Sequence, residues 1–224
     1  MTLIVPAKIV KSNRKSVALA INEKGELIVR APHRITNKEI SRILEQRRDW
    51  ILKNQQQMSQ RLGRKRSIEP ENGTLIPFCG KEYIIRLGAY GGIEIRNDEL
   101  LLPNSPERKK LLIAWLKKQA RLAFEKSADN YSRVMGLKYS AIKLSNAKTR
   151  WGTCNVQNAL RFSWRLVMCP QSVLDYVVVH ELCHIRHRNH GKEFWEDVER
   201  IDPHFKEKRK WLREHAEIIH YFES

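Results

Sequence analysis

The sequence predicts an α+β fold, with strands concentrated in its first hundred residues and helices dominating the remainder. Three observations carry this. Short apolar segments with strand character, punctuated by turn residues, run from Ser16 to Leu102. Beyond Pro106, the stretch 107–136 has the apolar spacing of one long amphipathic helix. Three more segments with helix signals follow Pro170.

In chain order, SVALAIN (16–22) and ELIVRA (26–31) flank EKG, a good hairpin turn, and Pro32 ends the unit. Thr36-Asn37-Lys38-Glu39 has the form of a capping box, hydroxyl and carboxylate each reaching the other residue's backbone N–H. It opens a helix with Ile40, Ile43, Leu44, Trp50 and Ile51 on its apolar face, after which QQQMSQRLGRKRS (55–67) reads as a polar loop or frayed end. Strands return around 74–79, 81–87, 92–96 and 98–102, separated by glycines and an Asn97-Asp98 turn. Pro103-Asn104-Ser105-Pro106 marks the expected boundary between a strand-rich basic region with one helix, 1–104, and a second domain, 105–224.

The long helix should end near Gly136. Two strand candidates follow, 139–148 and 159–168, joined by TRWGTCNVQN as a turn. Ser172-Val173-Leu174-Asp175 then has a box-like cap for a helix made apolar by Val173, Leu174, Val177, Val178 and Leu182. Asp202-Pro203 splits two final helices, 192–201 and 204–222.

Apolar residues make up 42% and charged residues 30%, a globular composition that excludes gross disorder. No apolar run approaches the roughly 20 residues that cross a bilayer, so no membrane partner is expected. The start, MTLIVPAKIVK, lacks a basic leader followed by a long apolar stretch, which points to a cytoplasmic location. Cys79, Cys154, Cys169 and Cys183 form no CxxC pair, which excludes a cysteine zinc ribbon and suggests reduced thiols. The net charge of +17 is spread through the chain, its tightest run being RLGRKR at 61–66. Such a surface favours polyanions: nucleic acid, nucleotides or acidic partners.

The chemistry centres on HELCHIRHRNH, 180–190. His180 and His184 are four apart, so a helix places them on one face, one turn from each other, where a zinc ion can bridge them. Glu181 lies about 100° further round. It is too far to ligate the same ion but well placed to take a proton from a water there. A catalytic metal needs a third protein ligand and an open position. His187 continues the stripe, but three ligands along a straight helix span about 10 Å, too far for one ion. His190 qualifies if the chain turns back, and Asn189 and Gly191 beside it both tolerate the left-handed backbone that ends helices. The metal set is therefore His180, His184 and His190, with His187 at the surface or supporting the ligands. Asp175, Glu196 and Asp197 are nearby candidates to accept the ligands' other ring N–H. Zinc, one ion per chain, is favoured by three imidazoles, although other divalent ions suit them too. Hydrolysis is the default reaction class.

The pieces RWGTC and HELCH, with His190-Gly191 and Phe194-Trp195, make the chain resemble the YgjP-like family of metal-dependent hydrolases, related to SprT-like and similar zincin metallopeptidases. The resemblance extends to SVALAINEKGELIVRAPHRITNKEI and FCGKEYIIRLG near the amino terminus. It implies a zincin-like core of supporting helix, small sheet and HExxH helix, with Glu181 catalytic. It also implies a peptide or protein substrate, or alternatively a nucleotide, since the family also carries a UTP pyrophosphatase label. A third reading is a nucleic-acid-associated protein recruited by its basic surface. Arg150 and Trp151 are candidate substrate-binding residues, Arg150 through anion binding or stabilisation of developing charge. Phe162, Trp164, Trp195 and Trp211 read as core, and the 159–168 strand as a sheet edge open to an extended peptide, as in zincin relatives.

Overall fold

The computed structural model describes residues 4–22, 25–64 and 68–222, leaving aside the side chains of 57–64. It is mixed α and β, as expected, and divides into two compact units, 1–66 and 67–224.

In the first unit, β1 (Lys8–Ser12), β2 (Ala18–Ile21) and β3 (Leu27–Pro32) form a sheet of order β1-β3-β2. β3 is parallel to β1 and antiparallel to β2. Its alternation turns Leu27, Val29 and Ala31 inward against Ile40, Leu44 and Ile51. Glu23 and Lys24 of the anticipated EKG turn lie outside the described residues. The Thr36 capping box forms as expected and starts α1 (Asn37–Gln46). The chain breaks its helical path at Arg47 and resumes as α2 (Arg48–Arg64). The polar stretch from Gln55 to Arg64 is thus helical rather than a loop, because residues 55–62 include no proline and only straight-chain or weakly breaking residues. Lys65–Ser67 lie outside the described residues.

In the second unit, β4 (Leu75–Phe78), β5 (Lys81–Gly88), β6 (Glu94–Arg96) and β7 (Glu99–Pro103) form a sheet of order β4-β5-β7-β6. This places the unit boundary near residue 66 instead of at Pro103–Pro106. The reason is packing: Ile76, Ile85, Leu100 and Leu102 belong to the same core as α3 (Arg108–Met135) and the carboxy-terminal helices. The β4–β5 hairpin has a two-residue turn, Cys79-Gly80, with both φ positive (50° and 78°). Its tip is docked. The Cys79 N–H donates to the Val167 carbonyl at 2.8 Å, and a Cβ on Gly80 would lie 2.8 Å from the Pro170 Cα.

α3 buries Leu112, Leu116, Ala120, Phe124 and Ala128, four residues apart, and ends at Gly136 with φ 62°. β8 (Ala141–Ser145), β9 (Gly152–Cys154) and β10 (Ala159–Ser163) make a sheet of order β8-β10-β9. Three expectations change here. Part of TRWGTCNVQN is the strand β9, not a turn. β10 is the central strand, paired to β8 and β9, so it offers no free edge. Residues Trp164–Met168 are a 3-10 turn rather than a continuation of the strand. Phe124 of α3 stacks on Phe162 of β10 at 4.5 Å, and Phe162 and Trp164 are core as anticipated. α4 (Gln171–Cys183), α5 (Lys192–Ile201) and α6 (Phe205–Glu214) complete the unit, followed by a 3-10 turn at Ala216–His220. α4 starts at Pro170 without a side-chain cap, because Asp175 accepts instead from Ser127 Oγ of α3 (2.7 Å) and Gln171 Nε2 (2.9 Å).

Gly80→Ala is expected to lower stability by about 2 kcal/mol, since a side chain is both strained at positive φ and crowded by Pro170 backbone. A lower denaturant midpoint is the readout, and an unchanged midpoint would show that the hairpin tip does not brace the start of α4.

Candidate metal centre and active site

α4 is apolar nearly all round, and Val173, Leu174, Tyr176, Val177, Val178, Val179, Leu182 and Cys183 are buried. A helix held on so many sides fixes the direction of the polar side chains it carries. His180 and His184 share a face, with ring centroids 5.1 Å apart. The helix ends at Cys183, and tightened backbone bonds from Ile185, Arg186 and His187 to Leu182 and Cys183 begin a turn. Three side chains hold that turn. Arg186 reaches the Met135 carbonyl at the end of α3 and also Asp197 of α5. His187 Nε2 meets Asp197 Oδ2 at 3.0 Å. Arg188 donates to the Asn155 carbonyl (2.9 Å) and Asn158 Oδ1 (2.8 Å), in the β9–β10 connection. The turn carries His190 back towards α4. Neither Asn189 nor Gly191 is left-handed, contrary to expectation; Gly191 is extended (φ −73°, ψ −175°) and precedes α5, so these side-chain anchors make the bend instead.

One ring nitrogen from each of His180, His184 and His190 lies within 4.8 Å of the others. The Nε2 atoms of His180 and His190 are 3.1 Å apart. Two imidazoles bound tetrahedrally to one zinc at about 2.05 Å would place their nitrogens about 3.3 Å apart, so the donor set fits such an ion. Phe194 of α5, 0% exposed, packs against all three rings with centroids at 4.7–4.9 Å. Trp195 stacks on His190. Burial, then the neighbouring histidines and Arg209, push His180 down to about 3 and also lower His190. Both rings are therefore neutral near pH 7, the state a metal requires. His184 Nδ1–H donates to the His187 carbonyl (2.9 Å), which leaves its Nε2 lone pair free. His187 thus supports a ligand through its backbone, while its own ring is engaged by Asp197.

The nearby carboxylates do not contact the three rings. Asp175 is tied to Ser127 and Gln171, Glu196 pairs with Lys192 at 3.5 Å, and Asp197 holds His187. Burial works against ionisation of Asp197, but the His187 hydrogen bond and the charges of Arg200 and Arg186 outweigh it and keep its carboxyl below the ordinary value. His180 Nδ1 is buried without a hydrogen-bond partner.

Glu181 is 5% exposed, and burial pushes its carboxyl up to about 8. It sits against β9: a Cβ on Gly152 would lie 2.6 Å from Glu181 Oε1 and 2.7 Å from Cγ. Gly152 is thus required for space, not for its φ. In the sequence Gly152 falls in an expected turn; the β-forming Thr153-Cys154 after it is the signal that it opens a strand. Phe194 and the turn anchors Arg186 and Arg188 also belong to the site without a local signal for it, whereas Asp197, expected to support a ligand ring, holds His187 instead. Arg150 is exposed, just before β9, and Trp151 is half-buried against the core. The Trp151 carbonyl accepts from the Ser163 N–H at 2.8 Å. Both residues line a cavity beside Gly152.

Three imidazoles converging beside a buried carboxyl group, within an α+β unit, make a donor set that could hold a metal ion, the kind of arrangement metal-dependent hydrolases use. The family model for the YgjP-like metallopeptidase domain matches residues 15–215, and the chain belongs to that family. Membership implies a metal ion and hydrolase activity. No curated protein and no solved structure matches the chain. Among the described residues, no helix is long and apolar enough to cross a membrane.

Asp197→Ala should loosen the turn that returns His190 and weaken metal binding about tenfold, although no ring ligand is removed. Competition against a chromogenic zinc chelator measures this, and unchanged affinity would show that the turn holds without Asp197.

Proposed function

We infer that the protein is a zinc-dependent metallopeptidase of the zincin type. In this reading α3 is the supporting helix, β8-β10-β9 the small sheet and α4 the active-site helix. The observation that carries it is the convergence of His180, His184 and His190 within 4.8 Å, with buried Glu181 one residue from the first. These histidines hold one ion. When bound, that ion supplies Lewis acidity to a scissile carbonyl and to water.

The protein's own residues do the rest. Phe194 and Trp195 exclude water from one side of the imidazoles and hold the rings in place. The positive charge of an ion held by the histidines would offset the burial that raises Glu181 and keep it ionised, so that its carboxylate takes a proton from the attacking water and returns it to the departing amine. Its seat against Gly152 fixes where that carboxylate points. β9 pairs with β10 on one side only, so among the described residues its other edge is open to an extended peptide next to Glu181.

The charge of +17 favours a second reading, in which a nucleotide such as UTP is hydrolysed at the same centre, or nucleic acid brings the protein to its substrates. Purified protein should carry about one zinc per chain and cleave denatured protein. Glu181→Gln should keep the metal and lose activity by about 10²–10⁴-fold. Hydrolysis of UTP with no peptide cleavage would replace the first reading with the second, and retention of zinc by a His180→Ala, His190→Ala double variant would remove both.

Gly152→Ala provides a separate check. The crowded atoms belong to the flexible end of Glu181, which can swing aside, so the chain should fold and keep its metal. Its kcat should fall about 100-fold because the displaced carboxylate no longer meets the reacting atoms. Wild-type turnover in this variant would contradict the role given to Glu181.

A further inference from the structure

A cavity of about 280 Å³ opens on the β8-β10-β9 sheet, lined in part by Ser145, Arg150, Trp151, Gly152, Arg161 and Ser163. Its face follows from strand alternation. Leu160 and Phe162 of β10 are fully buried against the core, so Arg161 and Ser163 point to the opposite side. Ser145 pairs with Ser163 across β8–β10, and Thr153 pairs with Arg161 across β9–β10.

Ser145 Oγ accepts from the Ala147 N–H (2.9 Å) and Asn146 Oδ1 from Trp164 Nε1 (2.6 Å), but other polar groups of this cavity are unpaired. Ser163 is 1% exposed, yet its hydroxyl has no hydrogen-bond partner. A buried polar atom left unpaired costs about 1–3 kcal/mol, so the Ser163 hydroxyl is available to a water or a ligand that enters the cavity. Among the described residues, neither Arg150 nor Arg161 has a carboxylate partner, whereas arginines such as Arg86, Arg108 and Arg200 do. No Asp or Glu lines the cavity. Two guanidinium groups and a buried hydroxyl around one concavity make a site for an anion with planar acceptor oxygens.

The cavity also adjoins the chemistry. Gly152 forms part of its wall, and the same residue lies against Glu181. A peptide laid along the open edge of β9 turns alternate side chains to the two faces of the sheet. Those on the face away from Phe162 lie on the same side of the sheet as Arg161 and Ser163.

The geometry points to a specificity subsite in which Arg150, Arg161 and Ser163 bind a carboxylate of the substrate, selecting peptides that are acidic close to the cleaved bond. This rests on the peptidase reading above. The carboxylate has two possible sources, an Asp or Glu side chain within the peptide or a free carboxy terminus.

Three short peptides of one core sequence separate these: one with an internal Glu and an amidated end, one with Gln and an amidated end, and one with Gln and a free carboxy terminus. Binding to metal-loaded protein is measured calorimetrically, and cleavage by kcat/KM. The wild type should prefer one carboxylate-bearing peptide over the neutral one by about tenfold or more. In Arg161→Gln and Arg150→Gln that preference should shrink about tenfold, and in Ser163→Ala by a smaller factor. Preference for the internal Glu assigns an acidic side chain; preference for the free end assigns a terminal carboxylate. If no peptide is cleaved but arginine-dependent binding of a carboxylate persists, the subsite stands and the peptidase reading fails. Equal binding and cleavage of all three, or a preference that survives both arginine variants, overturns the subsite and leaves the peptidase reading intact. Arginine-dependent binding of UTP with no binding of any peptide overturns the carboxylate assignment.

Discussion

Two imidazole nitrogens 3.1 Å apart, on His180 and His190, set the terms for the rest of this molecule. Both rings are neutral in their surroundings, and two facing lone pairs repel unless a proton or a cation lies between them. Packing from outside holds them at this distance. Phe194 fills the space behind all three rings, and α4, buried on nearly every side, leaves His180 little freedom. His190 is exposed, and its position depends on the turn at 185–190. That turn is anchored at three points: the end of α3, α5, and the β9–β10 connection.

The same logic extends outward. α4 has no side-chain cap of its own, and its first turn is fixed by neighbours: Ser127 of α3 on Asp175, and the β4–β5 hairpin tip against the approach to Pro170. This is why the strands between 75 and 103 share a core with the helices that follow. Sheet, long helix and hairpin meet around one helix, and the polar groups at its far end inherit their precision from apolar packing along its length.

Much of this was legible in the sequence because its signals are local. The Thr36 capping box, the Gly136 terminus of α3 and the four-residue spacing of His180 and His184 need only neighbours along the chain to be read. What was illegible depended on partners distant in sequence. The strand β9 is three residues long and exists because β10 pairs with it. Asp175 has the spacing of a cap residue, but Ser127, 48 positions away, competes successfully for its carboxylate. The bend before His190 was foreseen for the wrong reason: left-handed Asn or Gly would be a local device, whereas the observed anchors are Arg186, His187 and Arg188 reaching across the fold. The unit boundary failed similarly, since a proline-rich stretch signals a break in secondary structure but says nothing of which core its flanks join. Arg150 and Trp151 were singled out beforehand; Arg161 and Ser163, which share their cavity, were not, because only strand pairing reveals the common face.

Gly152 separates two compartments with no more than a stretch of main chain. On one side lies buried Glu181, on the other the concavity lined by Arg150 and Arg161. At a partition this thin, a ligand on the concave side and the Glu181 carboxyl would rest against the same short length of backbone. Recognition of a substrate and readiness to act on it would then share one support.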